Sequence, residues 1–193
     1  KPLSESVKNY LRDKYKKPGN VFCGVIHRLD RPVSGLVLFA KTSKALSRMN
    51  ELFRTKSIQK TYWAIVENPP HEAHGSLEHY LIKNQQKNKS HAYFKPYTGA
   101  LKAVLNYKIL KHLDRYTLLE VKPISGRHHQ IRVQLSTINS IIKGDLKYGA
   151  KRSNKDASIC LHAREINFVH PVKKEIIKVS APPPKNPIWE ACL

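Results

Sequence analysis

The chain has 193 residues, 35 of them Lys or Arg against 14 Asp or Glu, for a formal net charge of +21. The length suits one large domain or two small ones, and 40% hydrophobic content with nine Tyr and two Trp excludes a disordered basic tail. A cation excess of that size points to a polyanionic partner, nucleic acid being the usual one, whereas no apolar run approaches the ~20 residues that cross a bilayer.

In chain order, 4–16 reads as a polar helix with Val7, Tyr10 and Leu11 on one side. The apolar run 35–41 reads as a strand buried on both faces. Residues 43–54 return to helical period, with Ala45, Met49, Leu52 and Phe53 as the stripe and Ser43 as N-cap. Strands are predicted at 60–67, where Tyr62, Ala64 and Val66 share a face, and at 76–83. Two more, 104–111 and 116–122, form a hairpin across His112-Leu113-Asp114-Arg115. Residues 128–137 read as a helix with the stripe Ile131, Leu135 and Ile138. The chain ends in a hairpin, 165–169 and 175–180, turning at 170–173. Hairpins dominate the connections, so an α+β fold with a mainly antiparallel sheet and flanking helices is expected.

Cations recur along the whole chain with Tyr93, Phe94, Tyr97 and Tyr107 between them, as on a folded domain with a cationic face. Cys23, Cys160 and Cys192 form no C-x-x-C pair, which disfavours a disulfide framework or a thiolate metal site and fits a reducing cytosol. There is no phosphate loop, no nucleophile elbow and no zinc motif. His128 and His129, as neighbours on a helix, are expected to point to different sides and to line a polar or RNA-facing surface.

In so basic a chain, the informative residue is an acid. Asp30 stands between Arg28 and Arg31, just before the apolar run, in a turn shaped by Pro32 and Gly35. Two arginines should lower its pKa and keep it ionised, ready to act as nucleophile, base or electrostatic stabiliser. A structural ion pair that holds the loop is the alternative. Arg127, His129, Gln130 and Arg132 place donors around a helix start; Arg132, adjoining the apolar stripe, either snorkels at the surface or, if buried, requires an acidic partner, for which Asp30 is the candidate. Tyr62 in Lys60-Thr61-Tyr62-Trp63-Ala64 could stack on a base or simply pack.

Together and in order, these segments resemble RNA pseudouridine synthases of the RluA type. The likeness rests on His27-Arg28-Leu29-Asp30 with Ser34-Gly35-Leu36, on the Tyr62 segment, and on Gly126-Arg127-His128-His129-Gln130-Ile131-Arg132-Val133. It continues in Gly144-Asp145 with Tyr148-Gly149 and in Leu161-His162-Ala163 with His170-Pro171. The resemblance implies a bilobed, mainly antiparallel sheet with a central catalytic cleft, and the conversion of uridine to pseudouridine in tRNA or rRNA. It also implies that no metal or organic cofactor is used. By the same resemblance Asp30 is the nucleophile, attacking ribose or base. Tyr62 stacks on the flipped base and is a candidate for taking the carbon 5 proton. Arg132 pairs with Asp30, and Arg28 enters the space that the flipped nucleotide leaves. Arg31, Arg127, His129, Gln130 and Leu161 complete the expected RNA and substrate contacts. Val33 and Gln134 depart from the common Thr and His, and the N-terminal strand segment is reduced to Lys1-Pro2. A single cytoplasmic catalytic domain is expected, monomeric, with no membrane partner and no separate N-terminal RNA-binding module. Two rivals explain the charge equally well, a non-catalytic RNA-binding module and a ribosome-associated structural protein.

Overall fold

In the computed structural model, which describes residues 2–193, the contacts divide the chain into two units; Lys1 of the Lys1-Pro2 segment lies outside the described residues. The first unit holds the chain up to Leu29, Val37–Ile58 and Phe168–Ile177; the second holds Asp30–Leu36, Gln59–Asn167 and Lys178–Leu193.

In the first unit, α1 (Leu3–Tyr15) ends where Lys16 turns left-handed at φ 45° and returns its N–H to Arg12. Leu11 is the one residue the helix buries. Helix α2 (Ser43–Arg54) has the expected stripe, with Met49 buried. Its cap is Thr42 rather than Ser43: the Thr42 hydroxyl accepts the Ala45 N–H at 3.1 Å. Beneath it, β1 (Gly24–Val25) pairs antiparallel with β3 (Phe39–Ala40).

The apolar run at 35–41 is not one strand. Its start is β2 (Ser34–Gly35), which pairs parallel with β9 (Leu161–Val169) in the second unit, and its end is β3 in the first. Of the five apolar residues only Ala40 is buried. The run is apolar because the chain passes from one unit to the other, and each end must satisfy a different sheet.

The second unit is built on β4 (Gln59–Val66), β5 (His74–Asn84), β6 (Lys89–Tyr93), β7 (Leu101–His112), β8 (Thr117–Pro123), β9 up to Asn167, and β10 (Ile176–Ser180) from Lys178 onward. Their order is β10-β9-β4-β8-β7-β5-β6, antiparallel in every described pairing except β2 on β9. This is the mainly antiparallel α+β sheet that the hairpin-rich sequence predicts. Strand β6 was not foreseen: its Ser90 is buried and its Lys89 and His91 are polar, so no apolar period marks it.

Central strand β4 buries Ala64, Ile65 and Val66 with Leu105, Leu119, Val121 and Leu135. Truncating a buried Leu of this kind costs about 2–5 kcal/mol, so this cluster carries much of the stability. Helix α3 (Gln130–Thr137) is shorter than predicted and buries its first six residues rather than a single stripe. His129 precedes it with φ 53°, outside the helix proper. A 3₁₀ turn at Leu146–Tyr148 follows, and α4 (Pro187–Glu190), capped by Asn186, buries Trp189. Among the described residues no helix is long and apolar enough to cross a membrane.

Candidate active site

Asp30 opens a tight turn, with the Val33 N–H bonded to its carbonyl at 2.9 Å. The turn is tied to the sheet by Ile159 N–H to Pro32 O and Leu36 N–H to Ala163 O, at 2.9 and 3.0 Å, and by Ser34 Oγ to His162 Nδ1 at 2.8 Å. His162 Nε2 lies 3.2 Å from the Ala181 carbonyl and must donate to it, so Nδ1 accepts the Ser34 hydroxyl. Gly35, at φ 116°, presses on the Ala163 backbone; any Cβ would collide there, which is why the turn needs glycine.

Behind Asp30 stands Arg132 on the first turn of α3. Its Nε and Nη2 hold both oxygens of Asp145 at 2.7 and 2.8 Å, and its Nη1 reaches Asp30 Oδ2 at 3.1 Å. Burial opposes the charge on Arg132, but the two carboxylates overcome that and hold the guanidinium above its ordinary pKa. Arg132 and Asp145 are buried, whereas the Asp30 side chain keeps 29% of its surface. Gly144 sets the approach of Asp145: it turns at φ 87°, where a Cβ would meet Asn154 Nδ2 at 2.8 Å.

His129 Nε2 lies 3.6 Å from the same Asp30 Oδ2. Burial holds its pKa down at about 4, against the pull of Asp30 and with the help of Arg132, so the ring is neutral at physiological pH. His129 Nδ1 meets the Tyr148 hydroxyl at 2.9 Å. Arg132 lies over the face of the Tyr148 ring, 5.1 Å from its centre.

Tyr62 sits where the pairing of β4 with β9 slips. Thr61 opposes Glu165 and Tyr62 opposes Ala163, leaving Arg164 as the extra residue. Such bulges re-aim side chains beside active sites. Burial, and then the charge of Asp30, push the Tyr62 phenol up to about 12, which keeps it neutral and marks its nearness to that carboxylate.

The structure therefore brings together Asp30, Tyr62, Arg132 and His129, and it corrects several expectations. The ion pairs of Asp30 among the described residues are with Arg132 and His129, not with the flanking Arg28 and Arg31, whose side chains are exposed. His128 and His129 do not diverge on a helix: their rings stack 3.8 Å apart before it begins, and His129 is buried rather than RNA-facing. Gln130 is also spent within the protein. Its Oε1 accepts the Ser125 hydroxyl and the Arg127 N–H, and its Nε2 donates to Val104 O, at 2.9, 3.0 and 3.0 Å. Leu161 is buried in the core. Arg127 is exposed, its Nε donating to Lys102 O at 3.2 Å. Among the described residues no three His, Cys, Asp or Glu side chains are grouped as a metal ion would require.

Comparison with known proteins assigns the family. A model of the RNA pseudouridylate synthase family matches residues 3–137. The chain belongs to that family. It is 36% identical over 174 residues to the ribosomal large subunit pseudouridine synthase C of Buchnera aphidicola subsp. Baizongia pistaciae, covering 86% of this chain and 55% of the relative. It is 33% identical over 174 residues to the tRNA pseudouridine synthase C of Vibrio parahaemolyticus, covering 81% and 70%. The chain spans about half the length of the first of these curated relatives. Among solved structures, Human RNA Pseudouridylate Synthase Domain Containing 4 superposes with a TM-score of 0.80 over 98% of this chain and 81% of the other. At 22% identity that likeness speaks for the fold alone.

Within this site, sequence reasoning missed the role of two residues. Asp145 was visible only as part of a motif, yet it is the bidentate partner of Arg132. Tyr148 was visible in the same way, yet it touches both Arg132 and His129. The signal for Asp145 was the need of a buried arginine for more than one exposed carboxylate.

Proposed function

We propose that the chain isomerises uridine to pseudouridine in structured RNA, tRNA or rRNA, with Asp30 as nucleophile and the whole chain serving as one catalytic domain. One observation carries the reading. The Asp30 carboxylate is held through Oδ2 alone by Arg132 and faced there by His129, while no hydrogen bond or ion pair among the described residues falls on Oδ1. A part-exposed oxygen with its partner oxygen anchored is what a carboxylate nucleophile requires.

The uridine must leave its stack to reach such a group, so base flipping precedes chemistry. Asp30 then attacks the ribose or the base, the bond from ribose to N1 breaks, the uracil turns, and carbon 5 joins the ribose as the bond to Asp30 breaks; carbon 5 loses its proton and N1 takes one up. Tyr62 offers a ring for the flipped base to stack on and is the candidate to take that proton, as phenolate, once its own has passed to N1. Arg28, Arg31 and Arg127, with the cations dispersed over the chain, hold phosphates. The Buchnera relative is named for the ribosomal large subunit and the Vibrio relative for tRNA, and RNA of either kind suits this chemistry. Incubating the protein with tRNA and rRNA transcripts and mapping pseudouridine tests the reading. Site-specific pseudouridine is expected; a folded protein that binds these RNAs and forms none on any of them contradicts it.

A further inference from the structure

Asp30 Oδ2 has two neighbours, and the one that is not Arg132 depends on which ring nitrogen of His129 carries the proton. That choice is made one residue further back. The Tyr148 hydroxyl oxygen accepts the Ser90 N–H at 2.9 Å and lies 2.9 Å from His129 Nδ1. Among the described residues these are its hydrogen-bond partners, so its single proton has one acceptor to go to, Nδ1. With Nδ1 accepting, a neutral ring must carry its proton on Nε2, the atom that faces Asp30 Oδ2 at 3.6 Å. The opposite tautomer would leave the Tyr148 proton without an acceptor and would turn a nitrogen lone pair toward a carboxylate. Both faults are costly in a buried site.

We propose that Tyr148 is a positioning residue: its hydroxyl holds His129 as the Nε2–H tautomer, which together with Arg132 binds Asp30 Oδ2 and reserves Oδ1 for attack. At 3.6 Å the His129–Asp30 contact is longer than a formed hydrogen bond; it tightens when substrate excludes water from the carboxylate. The same ring lies against Arg132, so one side chain supports both groups that hold Oδ2. Ser90 anchors it from edge strand β6, its N–H on Tyr148 and its hydroxyl on the His128 carbonyl at 2.7 Å. The catalytic consequence rests on the pseudouridine synthase reading; the tautomer does not.

The test is nitrogen-15 NMR of the histidine rings, with His129 assigned through its own backbone amide, alongside turnover of Tyr148→Phe. That variant keeps the ring on Arg132 and removes only the hydroxyl. Wild type should show a neutral His129 with a protonated Nε2 and a bare Nδ1. In Tyr148→Phe the two tautomers should mix, and kcat should fall ~10–100-fold with RNA affinity unchanged, the scale on which metal-bound histidines suffer when an outer partner is lost. A wild-type His129 protonated on Nδ1, or on both nitrogens, at neutral pH overturns the proposal without any variant. So does a Tyr148→Phe protein with full turnover. If wild type forms no pseudouridine at all, the function is wrong, and the wild-type spectrum still decides the tautomer.

Discussion

Two arginines of this chain each clasp a carboxylate through Nε and Nη2, and their surroundings make them opposites. Arg54 holds Glu51 at 2.6 and 2.8 Å, one turn away on α2, with both side chains exposed. Arg132 holds Asp145 at 2.7 and 2.8 Å from thirteen residues away, with both side chains buried. In water the first pair competes with solvent for the same bonds and is screened by salt, so its geometry says little about its worth. Buried, the second pair has no solvent to fall back on. It does not stabilise the fold more than well-packed apolar groups would, but it fixes where a charge stands, and either partner left alone is a liability. The fold accepts that cost at the place where Asp30 needs a rigid cation.

The difference can be broken at several points. Asp145→Asn leaves Arg132 with its charge and only Asp30 to answer it; urea denaturation should show a loss of about 3–5 kcal/mol, the range for orphaning a buried ion. An unchanged midpoint would put Arg132 in water and end the contrast.

Acid attacks the same cluster through His129. Its folded pKa is about 4 against an ordinary 6.5, so above pH 6.5 neither state is protonated and stability is complete. As pH falls from 6.5 towards 4, the unfolded chain takes a proton that the fold refuses, and stability is lost by at most about 1.4 kcal/mol per pH unit from this residue. His79, His128 and His162, also held low by burial first, act in the same direction. Replacing His129 with Gln should flatten the slope between pH 6.5 and 4; a slope as steep as in wild type would locate the proton elsewhere.

Tyr62→Phe keeps the stacking ring and leaves Arg132 untouched. If Tyr62 takes the carbon 5 proton as proposed, turnover should fall about 10²-fold, with RNA affinity within twofold of wild type. Equal loss of affinity would make Tyr62 a binding group only. At the small end, Glu51→Gln on α2 should leave the denaturation midpoint where it was, because the pair it breaks is fully exposed.

The parts of the molecule that a sequence reveals are those where one physical demand acts alone. The helix around Met49 buries one stripe, and periodicity located it; the strand at Ala64 was located as well, although its end buries both faces, with Ala64, Ile65 and Val66 in succession. Asp30 stood out as a rare acid among cations, and Arg132 as a cation on an apolar stripe. The run 35–41 failed because two demands met in it: apolar character serves two sheets there, and hydropathy carries no mark of where the chain changes unit. The edge strand β6 failed for the opposite reason, since its buried residue is Ser90, placed by hydrogen bonds to Tyr148 and His128 rather than by apolar burial. His129 was misjudged because a left-handed residue at φ 53° takes it out of the helix, and a single non-glycine residue gives no warning of that. Partners thirteen and more residues apart, such as Asp145 for Arg132, become visible only when the turn at Gly144 brings them together.

The account turns on one carboxylate, and Asp30→Asn tests it most directly. That change keeps the size of the side chain and an oxygen for Arg132 but removes the carboxylate proposed to attack. In single-turnover assays on an RNA that wild type modifies, pseudouridine formation should fall by on the order of 10⁴-fold or more, as for loss of a nucleophile. RNA affinity should remain equal or rise slightly, since a negative charge has left a cationic surface. Pseudouridine formed by Asp30→Asn at a rate near wild type would contradict the account at its centre.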